Sequence, residues 1–90
     1  MLQGPVGQTI AAKLGAAFAP LLLEVIDESH QHHGHSGARP DGESHFRVRI
    51  VAEAFRGQSR VDQHRMVNAV LADELKERVH AVAIEAAAPA

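Results

Sequence analysis

Cysteine is absent from this chain, and so are tryptophan and tyrosine. Without cysteine there is no disulfide and no thiolate metal site of the chain's own. With phenylalanine as the only aromatic, at three positions, there is no aromatic platform on which bases could stack. No apolar run approaches the roughly 20 residues that a membrane-spanning helix needs. The start lacks a basic stretch followed by a hydrophobic core, so no signal peptide is read. Together with the missing cysteines, this fits a reducing, cytoplasmic setting. Excess positive charge is missing too. The formal charge is −2 with histidine neutral, a poor footprint for nucleic acid. That sign is fragile, because there are seven histidines. An unperturbed imidazole titrates near about pH 6.5, so mild acid would make the molecule basic.

What is present is one domain's worth of chain, residues 1–90, near the small end of what a single core can stabilise. Val6, Ile10, Leu14, Ala17 and Phe18 recur at helical spacing from Pro5 to Phe18. Pro5 suits a first helical position, and Pro20 stops the helix. Leu21 to Ile26 reads as a strand partly buried on both faces. Hydrophobicity then collapses in "DESHQHHGHSGARPDGES". The segment 29–44 reads as a loop, long for so small a domain. From His45 to Val51, Phe46, Val48 and Ile50 alternate with His45, Arg47 and Arg49, which marks a strand with one wet face. Phe55 to Ser59 is a turn, with a small helical turn before the next helix. Ser59 is a candidate N-cap, with Asp62 three residues on. Val61, Val67, Val70, Leu71 and Leu75 line one side of a helix ending near Arg78. Val79 to Glu85 reads as a last strand, and residues 86–90 as a frayed tail. The order α-β-β-α-β predicts a two-layer α+β sandwich with a three-stranded sheet.

Chemistry is concentrated in the histidines. His30, His32, His33 and His35 lie in the loop, where Gly34 and Gly37 allow tight backbone folding. Such a tract can be a metal site or a solvated stretch that binds metals adventitiously. His80 follows the helix end, where it can be a ligand, a satisfied core residue or a partner of the helix C-terminus. His45 reads as structural, closing the loop by a hydrogen bond. His64 reads as structural and Arg65 as a surface residue. No catalytic residue emerges, since the loop carboxylates and the Ser–His neighbours have no fixed geometry. The expectation is a non-enzyme.

"LEVIDESH", "ESHFRVRIVAEAF", "GQSRVDQHRMV" and "LADELKERVHAVAI" together resemble the BolA proteins over nearly the whole chain. The specific parts are "SHF", then "F-x-G" at Phe55–Gly57, "HR" at His64 and Arg65, and "VHA" at Val79–Ala81. Ala52 stands where the family often has Ser, and Gln63 where it often has Arg. The resemblance implies a class II KH-like fold. It also implies a monothiol glutaredoxin partner, with which a monomer of this chain would form a heterodimer bridging a [2Fe–2S] cluster. Imidazole can replace thiolate at such clusters. Glutaredoxin and glutathione would bring the sulfur ligands and this chain the nitrogens. The resemblance assigns His80 as one ligand and a loop residue as the other, best matched by His32, with His35 as rival and His30 and His33 behind. The role so implied is an adaptor in iron–sulfur cluster assembly, trafficking and iron regulation. The alternative is a DNA-binding transcriptional regulator of stress response and cell morphology, using basic residues such as Arg56, Arg60 and Arg65. "FRGQSRVD" lacks the G-x-x-G loop with which a KH domain clamps a nucleic-acid backbone, so any DNA binding is expected to be weak.

Overall fold

A computed structural model describes residues 4–29 and 44–90. Helix α1 (Pro5–Phe18) leads into strand β1 (Leu22–Asp27). Strand β2 (His45–Val51) follows the histidine-rich segment, then a single 3-10 turn at Glu53–Phe55. Helices α2 (Arg60–Val70) and α3 (Ala72–Glu77) precede strand β3 (Ala81–Ala87). The sheet is mixed, with order β1-β2-β3. β1 is antiparallel to β2, and β3 is parallel to it. This is the predicted α+β architecture, with helices on one face of the sheet and the other face left open by the described residues. No helix among the described residues is long and apolar enough to cross a membrane.

Alternation on β2 decides which face is covered. Phe46, Val48 and Ile50 are buried and meet Ile10, Leu14, Val67 and Leu71 of the helices in one core. Phe55 is fully buried, with its ring centroid 5.0 Å from that of Phe18. The 3-10 turn thereby closes the open end of α1. Gly57, at φ 79°, makes the bend into α2 in a region that costs other residues strain. Ser59 caps α2 as its sequence suggests, its hydroxyl accepting from the Asp62 N–H at 3.1 Å.

Four expectations need correction. β1 is not buried on both faces. It is an edge strand whose Leu22 and Ile26 sit on the open face and remain substantially exposed, while Val25 is buried. The helix expected to run to Arg78 breaks at Leu71, whose ψ of 15° ends α2 and starts α3. The break lets Leu71 be fully buried and still turns Leu75 onto the core. Val61 does not join that stripe and is 57% exposed. The last strand lies two residues later than expected. Ala86 and Ala87 are paired in register with Ile50 and Val51, so only residues 88–90 follow the strand. Small alanines hide strand character from a propensity reading, and pairing with β2 overrides it.

Candidate metal centre at the base of the histidine segment

Asp27 ends β1 by turning its carboxylate back. Its Oδ1 accepts from the Ser29 N–H at 2.9 Å, an Asx turn. The Ser29 hydroxyl then accepts two backbone donors across the gap, Ser44 N–H at 2.8 Å and His45 N–H at 3.1 Å. Glu28 N–H donates to the His45 carbonyl at 2.8 Å. Ser29, Ser44 and His45 are all buried. Both ends of the segment 30–43 are thus held in one clamp. Ser29 and Ser44 were not singled out by sequence reasoning as structural groups. The signal was there, in Asp-x-Ser at a strand end.

The clamp also holds the candidate ligand. The Ser44 carbonyl accepts from His80 N–H at 2.7 Å and from Ala81 N–H at 3.2 Å. Behind His80, the Arg78 and Val79 N–H groups close on the Glu74 carbonyl, and Val79 is buried in the core. His80 therefore has a fixed backbone and an exposed side chain. It stands beside the point where the histidine-rich segment re-enters the sheet. His45 differs from it. Its Nδ1 shares a hydrogen bond of 2.9 Å with the Ser44 hydroxyl, as expected of a residue that closes the loop.

The other candidates are scattered. His32 and His35, with His30 and His33, lie outside the described residues. Arg56 pairs with Glu53 and donates to the Pro89 carbonyl at 3.0 Å. Its guanidinium is held further into the charged form by the hydrogen bond to Glu53, and the same contact lowers the Glu53 pKa. Arg65 pairs with Asp62 at 3.4 Å. On the open face, Arg47 bridges Glu28 at 2.9 Å and Glu85 at 2.8 Å. Arg49 reaches Glu85 at 3.4 Å and Glu24 at 3.7 Å. Arg60 has no ion pair among the described residues. His64 is half-buried and lines a surface groove with Arg60, rather than facing the core.

Among the described residues no three of His, Cys, Asp and Glu are grouped to hold a metal ion. His80 is an exposed nitrogen donor whose ring lies beside that of buried His45, centroids 5.0 Å apart.

A family model described as BolA-like protein matches residues 14–90. An uncharacterised Sinorhizobium protein, from the 5′ region of cobS, is 57% identical over 91% of this chain and 89% of its own length. The Escherichia coli DNA-binding transcriptional regulator BolA is 44% identical over 86% of this chain and 70% of its own. SufE-like protein 1 of Arabidopsis thaliana is 46% identical over 97% of this chain, which spans only 24% of that longer protein. The solved BolA domain of the Arabidopsis protein superposes with a TM-score of 0.90 at 45% identity, covering 98% of this chain and 96% of that domain.

Proposed function

This chain belongs to the BolA-like protein family, and from that premise we propose that it is a cytoplasmic adaptor for iron–sulfur clusters. It binds a monothiol glutaredoxin and shares a [2Fe–2S] cluster with it and with glutathione. His80 is the strand-anchored nitrogen ligand. The second ligand comes from the histidine-rich segment, with His32 first and His35 as its rival.

The observation that carries this reading is the backbone bond from His80 to Ser44. It fixes the backbone that carries an exposed imidazole next to the end of the one segment rich in further imidazoles. The donor chemistry fits the group. Imidazole is an accepted cluster ligand, and a chain without cysteine must draw its thiolates from a partner. When bound, the cluster supplies the iron and sulfide that the assembly carries. The work of this chain's own residues is positional. Ser29 and Ser44 hold the segment's ends, Val79 plugs the core, and His80 is left with little backbone freedom to lose on ligation. The Arabidopsis relative joins the same domain to a further, longer chain, which suits a module that works beside a partner.

The regulator reading ranks second. Four of the arginines that favour it (Arg47, Arg49, Arg56 and Arg65) are already engaged with carboxylates of this chain. Releasing them for phosphates would cost those pairs.

The test is co-purification with a monothiol glutaredoxin and glutathione, read by visible absorption and circular dichroism. A cluster spectrum in the wild-type complex that is lost in His80→Ala is the expected result. An unchanged spectrum and lifetime in that variant overturns the assignment.

A further inference from the structure

β3 is an edge strand of the sheet, and among the described residues no strand pairs with its outer side. In a parallel pair, alternate residues turn both backbone groups toward the neighbouring strand. Ala81 N–H donates to the Ser44 carbonyl, and the Ala87 carbonyl accepts from Ala52 N–H. The residues facing β2 are therefore Ala81, Ala83, Glu85 and Ala87. The N–H and C=O groups of Val82, Ile84 and Ala86 point outward, and no hydrogen bond reaches them among the described residues.

Edge strands are usually blunted by lysine, proline, a bulge or a covering element. β3 reads AVAIEAA. It contains no lysine and no proline, and its register with β2 is unbroken over all seven residues. Its one charge, Glu85, is neutralised on the open face by Arg47 and Arg49. A groove of about 390 Å³ crosses this end of the sheet, lined by residues 84–87 of β3 and also by Leu22 of β1 and Arg49 and Val51 of β2. Arg60 and His64, one turn apart on α2, form its helix-side wall. That wall has a guanidinium with no carboxylate partner among the described residues and a half-buried imidazole.

We propose that the β3 edge is a docking site for an extended acidic segment of a partner protein, which adds to the sheet as a fourth strand. Main-chain bonds to Val82, Ile84 and Ala86 supply the pairing. Side chains alternate across an added strand. Those on the helix side meet Arg60 and His64 and are acidic. Those on the open side meet Ala81, Ala83 and Ala87 and are small or apolar. Its test needs neither cluster nor glutaredoxin.

The test is amide hydrogen exchange on the isotopically labelled full chain with three blocked peptides. One alternates glutamate with valine, one alternates lysine with valine, and one is the glutamate peptide with proline at its centre. In the free chain, Val82, Ile84 and Ala86 should exchange quickly while Ala83 and Glu85 are protected. The glutamate peptide should slow exchange of those three by about tenfold or more, and the other two peptides should not. The double variant Arg60→Glu, His64→Glu should lose the preference and favour the lysine peptide, with Phe46 to Ile50 keeping wild-type protection as a check on folding. Three results overturn the proposal. These are equal binding of the lysine peptide, protection that falls on β1 instead, and protection of the three amides that rises with chain concentration alone, which would make a second copy the occupant.

Discussion

His45 and His80 stand ring to ring, with centroids 5.0 Å apart and planes tilted by 51°, yet only His80 is exposed. The two imidazoles are therefore separable by substitution. His45→Ala removes a buried ring and its bond to the Ser44 hydroxyl, and should cost about 1–3 kcal/mol of stability. His80→Ala removes an exposed ring and should stay within about 0.5 kcal/mol of wild type. Urea unfolding of both variants checks this. Equal losses would mean that His80 is a structural residue.

His30, His32, His33 and His35 should behave as substitutes for one another. His32→Ala should weaken the shared cluster less than His80→Ala does, because His30, His33 and His35 are close in sequence. Replacing all four should match the loss seen with His80→Ala. Cluster lifetime in the complex, followed by visible circular dichroism, distinguishes the cases. A full loss from His32→Ala alone would single out one ligand.

Ser29→Ala should be costly for so small a change. The hydroxyl serves two backbone donors, those of Ser44 and His45, in a buried site. Unsatisfied buried donors cost about 1–3 kcal/mol, and a loss of about 2 kcal/mol is expected. The amides of Ser44 and His45 should exchange faster in the variant. Wild-type exchange there would refute the clamp.

Ala19 occupies the left-handed region, at φ 46° and ψ 55°, where it closes α1 by donating to the Gly15 carbonyl. A residue with a Cβ pays roughly 1–2 kcal/mol there. Ala19→Gly removes that strain and adds some unfolded-state entropy, so a net gain of about 0.5–1 kcal/mol is expected. A lower midpoint in thermal unfolding would contradict it.

Lys13 ties α1 to α3 through Glu74 at 2.8 Å, with Asp73 at 3.9 Å. The hydrogen bond to Glu74 raises the Lys13 pKa above its ordinary 10.5. A raised ammonium pKa gives stability that is fully present below the unfolded value and is lost as pH rises through the folded one. The stability difference between wild type and Lys13→Met should therefore be constant at neutral pH and shrink above about pH 10.5. A difference that grows in alkali would reverse the sign and reject the pairing.

Much of this molecule was legible in its sequence because local patterns report local constraints. Alternation across Phe46–Ile50 marked β2 and its buried face, since side chains on a strand point to opposite sides whatever surrounds them. Ser59 and Asp62 marked the start of α2, since a capping bond spans three residues. The absence of cysteine settled that any thiolate must come from another molecule. Other features were decided by tertiary contact. Leu22 and Ile26 look like core residues, but β1 is an edge strand with one face that the described residues leave uncovered. Leu71 looks like one position in a continuous helix, but burying it together with Leu75 bends the chain there. Ala86 and Ala87 look like a loose end, but they pair with β2. The candidate ligand shows the division most clearly. That His80 follows a helix is written in the sequence. That its backbone is held by Ser44, from a segment 36 positions earlier in the chain, is not. Sequence spacing carries no information about a hydrogen bond between distant residues, and only the parallel pairing of β2 with β3 brings the two together.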